Sequence, residues 1–498
     1  MSILNEIRNT YGIAADTDSY KFSHPTQYPN DADKLVSYIE SRGGAYGETV
    51  FFGLQLLIKE YFLEQLTHKQ VDNMIAFQQA HLFGVEIDEL EVALRAVVDD
   101  YDGYMPLKIR AVPEGSVVPT GNVLVTVENT VADPRIFPLV TYMETKLMRL
   151  WAPTTVATIS YHIKKVIYDG LVQSADDPDA EIGFKLHDFG ARGVSSMEAA
   201  AFNGAAHLVN FLGSDTVVGV MAANIGYNEQ MSGFSIPATE HSTTTSFGRH
   251  DEAEIVERMF DKFAKPGALF ATVADSYDIM NFVEHIAPRL KDRLRASGAT
   301  WVIRPDSGHP VETPVELVKR LSKTFGFTYN GKGYKVLDGV RVIQGDGIDI
   351  DDVKQIVRRL LDEGFSVSNI AFGMGGGLLQ KNNRDTLKFA MKACAIRRNG
   401  QWQDVYKEPK IYDPITWRPM LEGSFKRSKA GRLELVYNKE TGEYRTEANG
   451  DEHYFLQNGF DLALETVYEN GKLLRDMTFT QVRDNAKLPT ERKVAEAA

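Results

Sequence analysis

Between residues 180 and 390, short apolar runs end in Asp, Gly or Ser and give way to stretches with helical spacing. The runs are EIGFKLHDFG (181–190), DTVVGVMAA (215–223), ALFATVADS (268–276), TWVIRPDSG (300–308), VRVIQGDG (340–347) and NIAFGMGGG (369–377). This rhythm predicts repeated β-α units on a parallel sheet, with each run a strand. One intervening helix can be checked directly. In DIDDVKQIVRRLLDEG the residues Ile350, Val353, Ile356, Val357, Leu360 and Leu361 share a face, between a start signal at Asp349 and a stop at Gly364. Six such runs, with room for a further strand at FSIPA (234–238), favour an α/β barrel over an open doubly wound sheet. In barrels the chemistry lies at the carboxyl ends of the strands. HDFG, ADS, RPDSG, QGDG and GMGGG all fall there. Asp and Gly suit any turn, but five such endings at equivalent positions point to a site.

The flanks have a different pattern. VPEGSVVPTGNVLVTVEN (112–129) alternates like strands broken by Gly and Pro turns, and GRLELVYNKETGEYRTE (431–447) predicts a hairpin turning at Glu440–Gly442. The expected organisation is an α/β catalytic domain over 151–390 and a second, β-rich domain built from both chain ends, 1–150 and 391–498.

Composition narrows the function classes. The chain has 498 residues, with 55 Lys plus Arg against 68 Asp plus Glu and a single cysteine, Cys394. One thiol excludes a disulfide framework and a thiolate zinc site, and fits a reducing compartment. Glu6, Arg8, Asp16 and Asp18 interrupt any signal-peptide core, and no apolar run approaches the roughly 18 residues of a membrane span. A cytoplasmic protein is expected. The net charge of −13 argues against nucleic acid or a membrane surface as partner. From Lys381 to Arg432, however, 13 basic residues face 5 acidic ones, a local balance of +8. Such a segment suits either a small anion or a solvated basic face.

Motifs separate the candidates further. GFTYNGKG (326–333) matches the start of a phosphate-binding P-loop, but Gly333 replaces its Ser or Thr and a strand-like stretch follows where a helix is required. GMGGGLLQKNNRD (373–385) is more informative, because three glycines before a helix expose backbone N–H groups that can converge on a phosphate. Asp275, Asp306 and Asp346 end three successive strands, with Arg304 two residues before Asp306. These carboxylates suit ribose hydroxyls or hydrated Mg²⁺, and the arginine fork suits a phosphate or carbonyl oxygen, with structural ion pairing as the plain alternative. Taken alone, His241 in PATEHSTTTS would serve as a hydrogen-bonded structural histidine, and Cys394 in AMKACAI as a small buried hydrophobe.

In this order, HDFGARG, GSDTV, PATEHST, DSYD, IRPDSG, QGDG and GGGLLQK resemble the nicotinamide phosphoribosyltransferase family of type II phosphoribosyltransferases. The resemblance extends from TDSYKFSHPTQYP (17–29) through KRSKAGRL (426–433). It implies an irregular α/β barrel, a homodimer with shared active sites, and transfer of phosphoribosyl from phosphoribosyl pyrophosphate to nicotinamide, as in NAD salvage. Mg²⁺ and ATP as co-substrate are implied as well. By the same resemblance, Phe189 and the partner subunit's Tyr20 sandwich the nicotinamide ring, Asp215 accepts from the carboxamide, and Arg304 binds near ring and amide. Arg384, Gly376 and Gly377 take the 5′-phosphate, Asp306, Gly345 and Asp346 the ribose side, and Arg192 the pyrophosphate. Arg42, Lys392 and Lys407, with Lys426, add charge from the other subunit. His241 matches a histidine that accepts a phosphoryl group from ATP, flanked by Glu240 and Asp275. Asp275 and Asp306 are the implied metal carboxylates, acting through water. Ala191 and Met374 depart from the family pattern, and the 407–426 connection is longer than usual. The rival readings are a nicotinate phosphoribosyltransferase on the same architecture and a non-catalytic pyridine-nucleotide binder.

Overall fold

The computed structural model describes residues 2–345, 347–410, 412–418, 427–450 and 452–491. The expected roles of Asp346 and Lys426 therefore fall outside the described residues. The chain forms two compact units. One combines Met1–Thr155 with Asn383–Asn485, and the other combines Val156–Asn382 with the chain from Ala486 on.

The first unit is built on a seven-stranded sheet in which every neighbouring pair is antiparallel. Its order is Gln401–Asp404, Phe389–Arg398, Ala32–Ser41, Val123–Asn129, Leu107–Ala111, Glu465–Glu469 and Lys472–Leu473, so strands from the two chain ends interleave. Ala32–Ser41 and Val123–Asn129 lie at its centre and are buried along most of their length, as a strand covered on both faces requires. The predicted hairpin forms between Leu433–Asn438 and Glu443–Ala448, with Gly442 at a positive φ of 73°.

The second unit contains a parallel sheet in the order Gly213–Ser214, Leu186–Asp188, Ile370–Met374, Val340–Gln344, Thr300–Arg304 and Leu269–Val273. Its two edges do not stay open. The FSIPA segment runs between them, with Phe234 bridging Gly213 and Ala238 bridging Ala271, both in parallel. Ser214 N–H donates to Phe234 O at 3.0 Å and Ala271 N–H to Pro237 O at 2.8 Å. The ring is thereby closed as an irregular barrel. Pro237 can accept but not donate, which keeps this connection to isolated bridges. Inside the ring Ala271, Val302 and Ile343 are buried together, with Phe189, Ile236 and Ala371 packed against them. Each comes from a different segment around the ring, as in a packed barrel layer.

The helix Ile350–Asp362 forms as its pattern predicts, with the Asp349 side chain accepting from the N–H groups of Asp351 and Asp352. Val353, Ile356, Val357 and Leu360 are its buried face. GFTYNGKG forms a small antiparallel pairing of Phe327–Tyr329 with Lys335–Leu337, so no P-loop helix follows it. One expectation is corrected. DTVVGVMAA does not form a strand: only Gly213–Ser214 before it does, and Val217–Gly226 is a helix packed on the helix Met197–His207. The reason is a close backbone approach, since a Cβ added to Gly219 would lie 2.8 Å from the Cα of Gly204. Periodicity alone does not separate a buried strand from a buried helix in so short an apolar run.

Candidate active site

The carboxyl ends of the barrel strands bring together residues far apart in sequence. Phe189 follows Leu186–Asp188, and its N–H donates to Met374 O at 2.8 Å, binding the turn to the neighbouring strand end. Its ring lies over two glycines. A Cβ at Gly373 would come 2.1 Å from the ring, and one at Gly345 3.2 Å from it and 3.9 Å from Arg304 Cδ. Side chains are thus excluded from beneath Phe189, and the ring, Gly345 and Arg304 form one continuous surface. The Arg304 side chain is 15% exposed, its Nε makes no hydrogen bond among the described residues, and its nearest carboxylate oxygen, Asp306 Oδ1, is 3.7 Å away. A buried cationic donor without a partner can meet an incoming acceptor.

Asp215 emerges beside this surface, after Gly213–Ser214. Its N–H donates to Asp188 O at 2.9 Å, and its Oδ1 accepts from the Ser235 hydroxyl on the segment that closes the ring. Asp188, unnoticed as a separate group within HDFG, is fully buried, and its Oδ1 accepts from Gly190 N–H at 2.7 Å. Burial pushes its carboxyl up to about 6, against the opposing pull of Gly190 N–H and the nearby Thr216 and Ser214 hydroxyls; the charge of Asp215 adds to the rise.

His241 opens the short helix His241–Thr245 and is half-exposed. Nε2 is 3.1 Å from Asp275 Oδ1, whereas Nδ1 is 3.6 Å from Asp306 Oδ2, beyond hydrogen-bonding distance. The nearly buried Asp275 carboxylate uses its other oxygen to accept from Asp306 N–H at 3.0 Å and from the Ser307 hydroxyl. Asp275 thus fixes both the histidine and the turn carrying Asp306. Glu240 sits at the helix start, where its carboxylate accepts from the Ser242 hydroxyl and its N–H donates to Thr243 Oγ1 at 3.2 Å. Its contacts are to the helix start, so Asp275 is the carboxylate that orients the ring.

The Gly-rich turn follows Ile370–Met374, and the four-residue helix Gly376–Leu379 starts there. Gly376 and Gly377 occupy its first positions, where N–H groups have no partner within a helix. The turn Ala191–Gly193, carrying the exposed Arg192, packs on it so closely that a Cβ on Gly193 would lie 3.3 Å from Gly376 N. Met374 buries its side chain and Ala191 is exposed, so neither departure from the family pattern blocks the glycine backbone.

The remaining predicted residues belong to the first unit. Arg42 Nε donates to the buried Glu40 at 2.6 Å, and Glu40 also binds Lys429. Lys392, opposite Tyr38 across the strand pair, is pushed down in pKa by burial first; Arg42, Lys407 and Lys21 also lower it, and Glu144 opposes them. Tyr20 is 59% exposed, in the turn Ser19–Gln27. Arg384 is also exposed, 3.6 Å from Asp385. Lys429 carried no sequence signal of its own, since only tertiary contact joins it to Glu40, two residues before Arg42. Cys394 is fully buried and its thiol is pushed up to about 12 by burial, which leaves it inert.

Among the described residues no group of three or more His, Cys, Asp or Glu side chains could hold a metal ion. Both Asp275 oxygens are already taken by protein donors, which makes Asp306 the better placed of the two carboxylates expected to face Mg²⁺. No helix among the described residues is long and apolar enough to cross a membrane.

Residues 184–415 match the nicotinate phosphoribosyltransferase (NAPRTase) family, and residues 12–109 match the N-terminal domain of nicotinamide phosphoribosyltransferase. The chain is 49% identical over 475 residues to the nicotinamide phosphoribosyltransferase of Xanthomonas campestris pv. campestris, covering 95% of this chain and 98% of that one. It is 30% identical to the Acinetobacter baylyi protein of the same name, covering 94% and 95%. Among solved structures it resembles nicotinate-nucleotide pyrophosphorylase from Pyrococcus furiosus, with a TM-score of 0.60 at 16% identity over 98% and 96% of the two chains. Human nicotinic acid phosphoribosyltransferase gives 0.54 at 16% identity over 96% and 93%. At these identities the structural likeness concerns the fold.

Proposed function

The chain belongs to the nicotinamide phosphoribosyltransferase family and is a phosphoribosyltransferase, and from that premise we propose that it joins nicotinamide to phosphoribosyl pyrophosphate in NAD salvage, giving nicotinamide mononucleotide and pyrophosphate. The observation that carries this reading is the Asp215 carboxylate, held by Ser235, at the strand end next to Phe189. The aromatic face offers a platform for a pyridine ring. A carboxylate accepts from the amide NH₂ of nicotinamide and repels the carboxylate of nicotinate.

In the reaction the pyridine nitrogen forms a bond to the anomeric carbon of the ribose as that carbon's bond to pyrophosphate breaks. The nitrogen supplies its own lone pair, so no base is required. The residues act by alignment, which can supply roughly 7–11 kcal/mol, and by stabilising the departing charge. Phe189, Asp215 and Arg304 orient the base, Asp306 and Gly345 the ribose side, and Arg192 with the Gly376–Gly377 turn the phosphates. Mg²⁺ arriving with the pyrophosphate would neutralise charge, with Asp306 holding it through water. ATP donates its γ-phosphoryl group to His241.

We propose further a cytoplasmic homodimer in which Tyr20, Arg42, Lys392 and Lys407 of one subunit serve the site of the other; a monomer in equilibrium sedimentation, fully active, would exclude it. The base specificity has a direct test. Nicotinamide is expected to be used with a kcat/KM at least about tenfold above nicotinate, and Asp215→Asn is expected to narrow that ratio. Equal or better use of nicotinate by the unmodified enzyme would overturn the nicotinamide reading, and an unchanged ratio in the variant would remove Asp215 from that role.

A further inference from the structure

We propose that Asp188 is a positioning residue that locks the base platform and the amide acceptor to each other, so that the ring and its substituent are read as one object. The inference rests on the nicotinamide reading and extends it to a group that touches no substrate. Asp188 is the last residue of Leu186–Asp188 and is completely buried. It holds two loops. Through Oδ1 it accepts from Gly190 N–H at 2.7 Å, fixing the turn that carries Phe189, whereas the Arg192 turn beyond it packs on the Gly376 turn. Through its carbonyl it accepts from Asp215 N–H at 2.9 Å. Its carboxylate also lies against the second loop. Thr216 and Ser214 hydroxyls are close enough to favour its charged form, although neither completes a well-aligned bond to Oδ2.

The surroundings permit little slack. A Cβ on Gly190 would lie 2.6 Å from Leu379 and 3.0 Å from Asp188 Oδ1, and one on Gly204 would lie 3.4 Å from Asp188 Oδ2 and 3.0 Å from Thr216. The carboxylate therefore fills the space between the Phe189 turn and the helix pair beneath the Asp215 loop. A hydrophobic residue of similar size would leave Gly190 N–H buried without an acceptor, and the turn would move to satisfy it. Burying an acid this deeply raises its pKa, so stability alone is a poor reason for its presence. Displacements of about 1 Å at a reacting group can cost 10²-fold in rate, so a group that fixes two contacts can be important without touching either substrate.

The test compares Asp188→Ala with Asp188→Asn in the full-length enzyme, with folding monitored by circular dichroism. Asp188→Ala keeps the backbone bond to Asp215 N–H but removes the side-chain half of the clamp, and is expected to raise the KM for nicotinamide about tenfold, with the KM for phosphoribosyl pyrophosphate within about twofold and a weaker preference for nicotinamide over nicotinate. Asp188→Asn still presents an oxygen to Gly190 N–H and is expected to restore the nicotinamide KM to within about threefold. A parallel rise in both KM values, or a folded Asp188→Asn enzyme that fails to recover, would overturn the proposal. If Asp188→Ala does not fold, the asparagine variant decides, since a clamp that depends on an acceptor and not on charge must survive that change. An unmodified enzyme that prefers nicotinate would reject the parent reading; a nicotinamide-preferring enzyme whose folded Asp188→Ala variant keeps its KM would reject the clamp alone.

Discussion

Arg304→Ala is expected to lower kcat/KM for nicotinamide by roughly 10²-fold while changing the stability of the folded protein by less than about 1 kcal/mol. The two halves have a common cause. Arg304 Nε is buried and makes no hydrogen bond among the described residues, and the nearest carboxylate oxygen is 3.7 Å away. The guanidinium therefore contributes little to the free protein, and its removal strands no hydrogen-bond partner, only a loose ion pair to the part-exposed Asp306. In the proposed reacting complex it would be a charged donor beside the Phe189 surface, where a hydrogen bond to an oxygen of the base or sugar is worth about 1.5–3 kcal/mol. Arg304→Lys keeps the charge but loses the planar fork, and is expected to recover only a small part of the rate. Steady-state kinetics and thermal melts on both variants check this. A fall in melting temperature matching the fall in rate would show Arg304 to be structural, and a kcat/KM within threefold of the unmodified enzyme would remove it from the site.

Where a feature was legible in the sequence, its signal was local. The helix Ile350–Asp362 carries its own start at Asp349, its stop near Gly364 and a single apolar face. The strand ends bearing Phe189, Asp275, Arg304 and Gly345 were visible because apolar runs stop there in turn-forming or charged residues. Features that depend on contact between distant segments were not visible. DTVVGVMAA reads as a strand until Gly204 is found against Gly219. Ring closure by FSIPA needs acceptors at Leu212 and Phe234 on one side and Pro237 on the other. The same limit hid the pairing of Glu40 with Lys429. The excess of Lys and Arg between 381 and 432 is apparent from counting, but the carboxylate that binds Lys429, Glu40 beside Arg42, comes from the opposite end of the chain. Lys429 reaches it through a tertiary contact, in which its N–H also donates to the Tyr38 hydroxyl at 2.9 Å. Asp188 was hidden for another reason: within HDFG the aromatic residue explains the motif so well that the acid before it needs no further account.

Incubation with ATP labelled at the γ-phosphate is expected to place acid-labile, base-stable label on His241, and His241→Asn is expected to abolish it. Turnover of that variant with ATP should fall to or below the rate the unmodified enzyme reaches without ATP. On the proposed phosphohistidine, the attacking atom is Nδ1. Nε2 is within hydrogen-bonding distance of the Asp275 carboxylate, and Nδ1, 3.6 Å from Asp306, is the ring nitrogen without a hydrogen-bond partner among the described residues. Attack by Nδ1 forms the nitrogen–phosphorus bond as the bond between the γ-phosphorus and the bridging oxygen breaks, releasing ADP; the charge gained by the ring is met by Asp275 through Nε2–H. Asp275→Asn should therefore leave His241 in place but slow its labelling by about 10- to 100-fold, the value of one charged hydrogen bond. Glu240→Gln alters a group engaged with Ser242 and should slow labelling much less. The ordering of these variants separates an oriented phosphoryl acceptor from a surface histidine that ATP happens to reach. Labelling that survives His241→Asn, or equal effects of Asp275→Asn and Glu240→Gln, would reject the assignment of Asp275 and His241 as a working pair.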